Sequence, residues 1–436
     1  MSNALKLRWF SALCLTTLLS VGVGCQNESA KWQYADAINQ YEAGKTDEAI
    51  AQLQDIIDNT SDNDEMKLKL AEMYASHEQA DLGISLCDEY LEKYPDSVEA
   101  RRVRSECLQY LARFEEALND YQESLAGLAK LNPTQLNNLA YFRTLAKNDL
   151  PLAAKQIDEA IREMRFTNWG CRYQVPLTVR CSVAIGLIAR HVDQQEAAAK
   201  ALDQQINLEL VEWARKKSNG RQLTALFTAA QFPFDEKTED RINRSRDVVE
   251  LSRQSLALLL ATRCLVNEDL GKSDLVDNDR RLISQLDFDF EQLVAELPTD
   301  LACLEVLRRN ATVFLDTRGF VTAQLPWQSE DVHRWSKSLE MDSPGLLASY
   351  EMALQDLDLS IAAAELNYLA VRSPLYNRYD YPIEFVEFLK NGFKRTLAVL
   401  RYHRMQAHLK AGKKQLAQLD ADRIKELGLD PNACLF

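Results

Sequence analysis

The stretch from Tyr41 to Ile50 reads YEAGKTDEAI, and its pattern returns twice further along the chain. The small residues Ala49, Gly83 and Ala117 are spaced by 34 and 34 residues. A second small residue stands twelve positions before each of them, at Ala37, Ala71 and Ser105. Small side chains at matching places in two successive helices let the backbones approach closely, so this period predicts stacked pairs of antiparallel helices.

Turn and boundary residues support the same period. Gly44 suits the left-handed turn between two helices, and Pro95 is well placed to end one helix pair before the next begins. A fourth unit has its marker at Ala153, 36 residues after Ala117, which implies a two-residue insertion. These features resemble the tetratricopeptide repeat (TPR) family. The resemblance implies an all-α fold, a right-handed superhelical solenoid of antiparallel helix pairs with a concave groove, in one or two arrays.

The C-terminal half shows a weaker form of the pattern. Gly412 and Ala417 keep the five-residue offset of Gly44 and Ala49. Gly319 and Ala353 also match as small residues, but 34 residues separate them where 12 are regular, so about 22 residues are inserted at that turn.

The sequence therefore predicts a signal peptide at 1–24, a lipidated cysteine and tether at 25–31, about four TPR units at 32–163, an aromatic loop with connecting helices at 164–240, and a degenerate helical array at 241–436 with an insertion near 322–345.

Composition favours a helical, acidic protein. The 436 residues include only 14 Gly and 11 Pro, while 46% are apolar, which excludes collagen-like, disordered and turn-rich all-β chains. The formal net charge is -14 at pH 7. Because nucleic-acid binding needs concentrated Lys and Arg, we do not expect a nucleic-acid partner.

The first 25 residues resemble a bacterial lipoprotein signal. Lys6 and Arg8 precede an apolar run from Trp9 to Gly24, which at 16 residues is shorter than the roughly 20 of a membrane-spanning helix. The run ends in Val21-Gly-Val-Gly-Cys25, although Leu is usual at the place of Gly22. The resemblance implies cleavage before Cys25, its lipidation and export to the cell envelope. Gln26 favours the outer membrane, facing the periplasm. An ordinary secretory signal cut near Gly24 and an uncleaved anchor are the alternatives.

The cysteines suggest one disulfide at most. Cys87 and Cys107 fall at inward positions of the repeats, where they are expected as small core residues. Cys171 and Cys181 bracket a loop, and an oxidising compartment makes a bridge between them possible. No cysteine or histidine spacing indicates zinc, so no metal site and no cofactor are expected.

The first helices of the repeats supply the candidate binding surface. Positions expected to face the concave groove are Glu65, Leu68, Glu72, Glu99, Arg102, Glu106, Gln109 and Tyr110. This set is mainly acidic with an aromatic side chain, so it predicts binding of a basic or extended peptide segment from a protein partner; a solvated helix face is the alternative. Tyr34 and Ile38 stand where chaperone-binding family members carry carboxylate-clamp residues, so that activity is not implied.

No catalytic signature is found. The chain lacks the HExxH, GxSxG, GxGxxG and GxxxxGK motifs. We therefore predict a non-catalytic protein-interaction scaffold of the bacterial cell envelope, tethered to the membrane through Cys25. A self-associating structural protein of the envelope and an unrecognised enzyme with a TPR arm are the alternatives.

Overall fold

A computed structural model describes residues 28–60, 63–76, 79–163, 175–191, 194–206, 236–299, 301–327, 350–370 and 383–432. Within these ranges the chain forms helices and no strand. The predicted signal peptide, Cys25, residues 164–174 of the aromatic loop and residues 328–349 of the insertion lie outside them.

The N-terminal part of the chain forms four helical hairpins. Hairpin 1 pairs α1 (Glu28–Glu42) with α2 (Thr46–Asn59), and hairpin 2 pairs α3 (Asp64–Ser76) with α4 (Ala80–Lys93). Hairpin 3 pairs α5 (Val98–Tyr110) with α6 (Phe114–Leu125), and hairpin 4 pairs α7 (Pro133–Leu145) with α8 (Leu150–Glu163).

Four more hairpins follow. Hairpin 5 joins α9 (Leu177–Ala189) to the helical residues 195–206, named α10. Hairpin 6 joins α11 (Glu236–Asp269) to α12 (Ser273–Gln285), and the short α13 (Phe290–Ala295) packs against both. Hairpin 7 joins α14 (Leu301–Gln324) to α15 (Tyr350–Ala370), and hairpin 8 joins α16 (Ile383–Lys410) to α17 (Lys414–Glu426). The predicted all-α fold of paired helices is confirmed.

Each hairpin has one buried residue on its first helix, small in the first seven hairpins, that faces the second helix; we call its place the packing position. It is occupied in chain order by Ala37, Ala71, Ser105, Ala140, Gly186, Cys264, Gly319 and Met405. At Gly319 an added Cβ would lie 3.1 Å from the carbonyl oxygen of Ala353 and 2.8 Å from Cγ of Leu357. At Gly186 the constraint comes from side chains, since its Cβ would lie 2.6 Å from Cγ2 of Thr262 in α11 and 3.1 Å from Cδ1 of Leu202 in α10. At both glycines the helices approach closely enough to exclude larger side chains.

The turn between the two helices has the same hydrogen bonds in most hairpins. In hairpin 1 the amide of Gly44 donates to Tyr41 and the amide of Lys45 donates to Gln40, which is a Schellman ending. Gly44 has φ 84°, and its counterpart in hairpin 8, Gly412, has φ 71°. In hairpin 3 the same place is taken by Ala112 with φ 56°. A side chain in this left-handed conformation is strained, so Ala112 carries a local cost that Gly44 avoids.

In each of four hairpins, the arginine one residue before the packing position forms an ion pair with an aspartate of the second helix. The Nε and Nη2 atoms of Arg104 donate to both carboxylate oxygens of Asp120 at 2.6 and 2.8 Å. The same two-pronged pairing joins Arg263 to Asp279, Arg318 to Asp356 and Arg404 to Asp420. These aspartates are buried, with side chains between 0% and 6% exposed. We call this pairing the Arg–Asp staple.

The same arginines also reach back to the preceding hairpin. Nη1 of Arg104 donates to Asp88 of α4 at 2.6 Å, and Nη1 of Arg404 donates to Asp358 of α15 at 2.7 Å. Arg263 does so to Asp203 of α10 at 2.6 Å. These three staples therefore each hold three helices together: the two of their own hairpin and the second helix of the hairpin on which it stacks.

The stacking order differs from the chain order. Helix α14 packs against α7 and α8, and the half-buried Asp158 of α8 lies near enough to Arg318 for their charges to attract. Hairpin 7 therefore stacks on hairpin 4, and hairpin 8 stacks on hairpin 7. Hairpins 5 and 6 form a side branch, which joins the main stack where α9 packs against α14 and α15. The domain boundary predicted at 240/241 lies inside α11; as a division into domains it stays a prediction.

Removing a staple carboxylate should destabilise the fold strongly. Asp420 is 2% exposed and accepts hydrogen bonds from Arg401 and Arg404. In Asp420→Asn these guanidinium groups lose their counter-charge, so we expect the free energy of unfolding to fall by about 2–4 kcal/mol. Asp88→Asn is the matched control: Asp88 is 52% exposed, so we expect about 0–1 kcal/mol. Urea unfolding followed by circular dichroism measures the free energy of unfolding of both variants. Equal losses in Asp420→Asn and Asp88→Asn would contradict the role of the buried Arg–Asp staple.

Relieving the strained turn should stabilise the protein. In Ala112→Gly the left-handed conformation is no longer strained, and after the entropy cost of glycine we expect a gain of about 0.5–1 kcal/mol. Gly44→Ala makes the opposite change at the equivalent turn and should cost about 1 kcal/mol. The midpoints of urea unfolding compare the two variants. A lower midpoint for Ala112→Gly would show that its left-handed conformation is not the source of strain.

Candidate functional site

The predicted groove residues lie on the first helices of hairpins 2 and 3. Two positions recur: three residues before the packing position, and one residue after it. In hairpins 1 to 3 these positions hold Tyr34, Leu68, Arg102, Ile38, Glu72 and Glu106, all of which are half-buried. We call the surface that they share with their exposed neighbours the first-helix face.

A charge network runs across this face from α3 to α5. Arg102 donates through Nη2 to Glu99 at 2.6 Å and through Nη1 to Glu106 at 2.5 Å. Glu72 of α3 is also within electrostatic range of Arg102. The guanidinium group therefore holds two carboxylates of its own helix and faces a third on the neighbouring hairpin. The structure brings together four of the eight predicted residues: Glu72, Glu99, Arg102 and Glu106.

The sequence interpretation of an acidic groove needs one correction in detail. Lys69, which it did not include, donates from Nζ to Glu72 at 2.7 Å and lies 5.8 Å from the ring centroid of Tyr41. Burial lowers the pKa of Lys69, but the charge of Glu72 and its hydrogen bond outweigh this and raise it, so the side chain stays cationic. With Lys69 and Arg102 present, the carboxylates are in excess but partly neutralised within the protein.

Glu106 has the most perturbed carboxyl group of the network. Burial raises its pKa, and the nearby Arg102 offsets this only in part. The raised pKa means that ionised Glu106 makes the fold less stable, by an amount that grows as pH rises through the folded-state pKa. A further cation placed beside Glu106 would favour its ionised form, because opposite charges lower a carboxyl pKa.

The remaining predicted residues have separate positions. Glu65 is exposed on α3 and lies within electrostatic range of Tyr34. Leu68 packs on the core between hairpins 2 and 3. Gln109 is half-buried, and Tyr110, 38% exposed, lies at the end of α5 within electrostatic range of Arg395 of α16.

In hairpins 4 and 7, three of the four equivalent positions are buried (Asn137, Asp316 and Phe320), and the fourth, Tyr141, is half-buried. Phe320 of α14 stacks on His403 of α16 with ring centroids 4.0 Å apart, and Tyr141 of α7 packs against both. His403 is fully buried, and its Nδ1 lies 2.9 and 3.0 Å from the two carboxylate oxygens of Asp316. This cluster joins hairpins 4, 7 and 8. In hairpins 1 to 3, by contrast, all six of these positions stay half-buried, so the first-helix face remains partly accessible there.

Other predicted sites are addressed only in part. Cys181 is fully buried in α9, and burial raises the pKa of its thiol to about 12, but Cys171 lies outside the described residues, so the bridge stays a prediction. Across the ranges given above, no three His, Cys, Asp or Glu side chains group as metal ligands. No helix in those ranges has both the length and the apolar composition needed to cross a membrane.

Two features of the site could not be found from the repeat period alone. The approach of Arg395 to Tyr110 joins residues 285 positions apart, and no local pattern links them. The pairing of Lys69 with Glu72 did have a signal, since residues three apart on a helix are neighbours, but Lys69 was not among the positions assigned to the groove.

Comparisons with known proteins give little further information. No family model and no curated protein matches the chain. Among solved structures, that described as the crystal structure of the yeast Tom70 is similar over 91% of this chain and 76% of that chain, with 13% sequence identity and a TM-score of 0.25. A similarity of this size does not extend to function, so the interpretation of the surface depends on its own geometry.

Proposed function

We propose that the protein is a non-catalytic interaction scaffold that binds a protein partner through the first-helix face of hairpins 1 to 3. One observation carries this proposal: three of the four repeated positions are buried in hairpins 4 and 7, whereas all six are half-buried in hairpins 1 to 3 and include charged and aromatic side chains. A stacked repeat with an accessible first-helix face is suited to hold an extended segment of another chain.

The charges of the face favour a basic segment as the ligand. Glu72, Glu99 and Glu106 are held by two cations, Lys69 and Arg102, so their orientation is set before a partner arrives. Each carboxylate has more acceptor sites than these cations use, and can take a hydrogen bond from a Lys or Arg of the ligand. Tyr34, Tyr41 and Tyr110 offer aromatic surface beside them, which suits an aliphatic or cationic side chain.

Self-association through the end of the stack is less well supported. The outward face of α17, the last helix of the main stack, carries Gln418 and Lys425 where the stacked helix α4 carries the apolar residues Ile84 and Leu91. A polar outer face is typical of a capping helix, which ends a repeat array and keeps it soluble. This observation favours a foreign partner over a second copy.

For the location, we propose the bacterial cell envelope, with Cys25 lipidated and the protein attached to the outer membrane on its periplasmic side. The support is the sequence pattern of an apolar run ending in small residues and a cysteine. A lipid at Cys25 would place hairpin 1, which begins at Glu28, beside the membrane surface.

Binding of a basic peptide should depend on Glu106 and Glu72. With a fluorescent peptide of alternating Lys and Leu as the probe, we expect the double variant Glu72→Gln, Glu106→Gln to bind about tenfold more weakly, and added salt to weaken wild-type binding. Glu115→Gln, an exposed carboxylate on α6, is the matched control and should bind as wild type does. Fluorescence anisotropy measures all three proteins. Equal affinity in the double variant and the control would contradict the proposed face.

The lipid anchor predicts a change in fractionation. In a bacterial host, Cys25→Ala should move the protein from the outer-membrane fraction to another fraction, while the wild type stays with the membrane. Mass spectrometry of the N-terminal peptide checks whether the wild type carries acyl chains on Cys25. An unmodified Cys25, or unchanged fractionation of the variant, would refute the anchor without affecting the peptide-binding proposal.

A further inference from the structure

From hairpin 2 onward, one side of the first helix faces the hairpin on which it stacks. Cys107, two residues after the packing position of α5, contacts the carbonyl oxygen of Ala71 in hairpin 2. Phe142, at the same place in α7, packs on Tyr121 of hairpin 3 with ring centroids 5.0 Å apart. Residues five and two before the packing position lie on this same side, because a helix repeats at spacings of three, four and seven.

The position five before the packing position is covered wherever a hairpin precedes it. Its occupants in hairpins 2 to 8 are all buried or half-buried: Met66, Ala100, Gln135, Cys181, Leu259, Phe314 and Leu400. In hairpin 1 the occupant is Trp32, and 76% of it is exposed. No other exposed large apolar residue in the described ranges is as accessible; Leu419, the next, is 61% exposed.

Trp32 departs from the rule that the end of a repeat array is polar. On the same side of α1, Asn39 replaces the buried apolar residues that the later hairpins carry, such as Met73 and Cys107. The last helix of the stack, α17, has a polar outer face as well. The other exposed residues on this side, Ala35 and Asn39, are small or polar, and Trp32 buries only a small part of its ring against the fold. Such departures from a structural rule mark functional surfaces.

The neighbouring sequence indicates what contacts Trp32. Cys25 precedes it by seven residues, a length of chain that spans at most about 25 Å even when fully extended. Trp32 is also in the second turn of α1, which begins three residues after Cys25. Tryptophan has an amphipathic ring and concentrates at the boundary between lipid headgroups and acyl chains.

We propose that Trp32 inserts into the lipid headgroup region and acts, together with the acyl chains on Cys25, as a second contact with the membrane. This inference rests on the proposed lipid anchor and is independent of the peptide-binding face. Two contacts restrict how the protein can rotate on its tether. Hairpin 1 then lies at the membrane and the stack of hairpins extends away from it.

Quenching of tryptophan fluorescence by brominated lipid tests the proposal. The acylated protein, extracted from host membranes, is reconstituted into vesicles of phosphatidylcholine with bromine on the acyl chains, and its emission is compared with that in unbrominated vesicles. We expect quenching in the wild type and in Leu419→Ala, the control at the opposite end of the stack, and its loss in Trp32→Ala. Both substitutions are at exposed positions, so neither should disturb folding.

The outcomes separate this inference from the anchor on which it rests. If the wild type floats with the vesicles but shows no quenching, or if Trp32→Ala is quenched as strongly as the wild type, the anchor holds and the role of Trp32 is refuted. If the N-terminal peptide carries no acyl chain and the protein does not float, both are refuted. Crosslinking of Trp32 to another protein in place of lipid would also overturn the inference.

Discussion

The structure depends on the close approach of two helix backbones at the packing position of each hairpin. Ala37, Gly186 and Gly319 fill that position with almost no side chain, and the carbonyl oxygen of Ala353 lies where a Cβ of Gly319 would need room. Because the two helices are in contact at the packing position, the larger residues that flank it pack against the next hairpin. The hydrophobic core is therefore made mostly between hairpins, and no hairpin could bury its apolar surface alone.

The Arg–Asp staple adds specificity to this apolar packing. A buried ion pair contributes little net stability compared with an apolar pair of similar size, yet it is costly to break, because the remaining charge stays buried. Arg104, Arg263 and Arg404 each satisfy an aspartate of their own hairpin and another of the hairpin below. A wrong neighbour would leave these charges unpaired, so the staples favour the observed stacking order over alternatives with equally apolar faces.

That order explains why the accessible surface is confined to one end. Hairpin 7 returns to stack on hairpin 4, and hairpin 8 follows, which brings His403 and Phe320 against Tyr141 and closes the first-helix face there. Hairpins 1 to 3 keep the face accessible, with Arg102 between Glu99 and Glu106. The free end of hairpin 1 also bears Trp32. The two surfaces proposed to act, one toward a partner and one toward the membrane, thus belong to the same end of the protein.

The fold class follows from the sequence alone, because the 34-residue period of the small residues Ala49, Gly83 and Ala117 is a local constraint. Matching small residues also identified Gly319 with Ala353, although 34 residues separate these two, and the regular spacing of 12 would have identified Gly186 with Ala198, which were overlooked. The period also identified Glu72, Glu99, Arg102 and Glu106, since helical spacing puts them on one side.

Three features depend on tertiary contacts and could not be read from the sequence. They are the stacking order of the hairpins, the carboxylates that Arg102 and Lys69 neutralise, and the extent of the first-helix face. Those features join residues as distant as Tyr141 and His403, and their energies come from burial and charge pairing that exist only after the chain has folded.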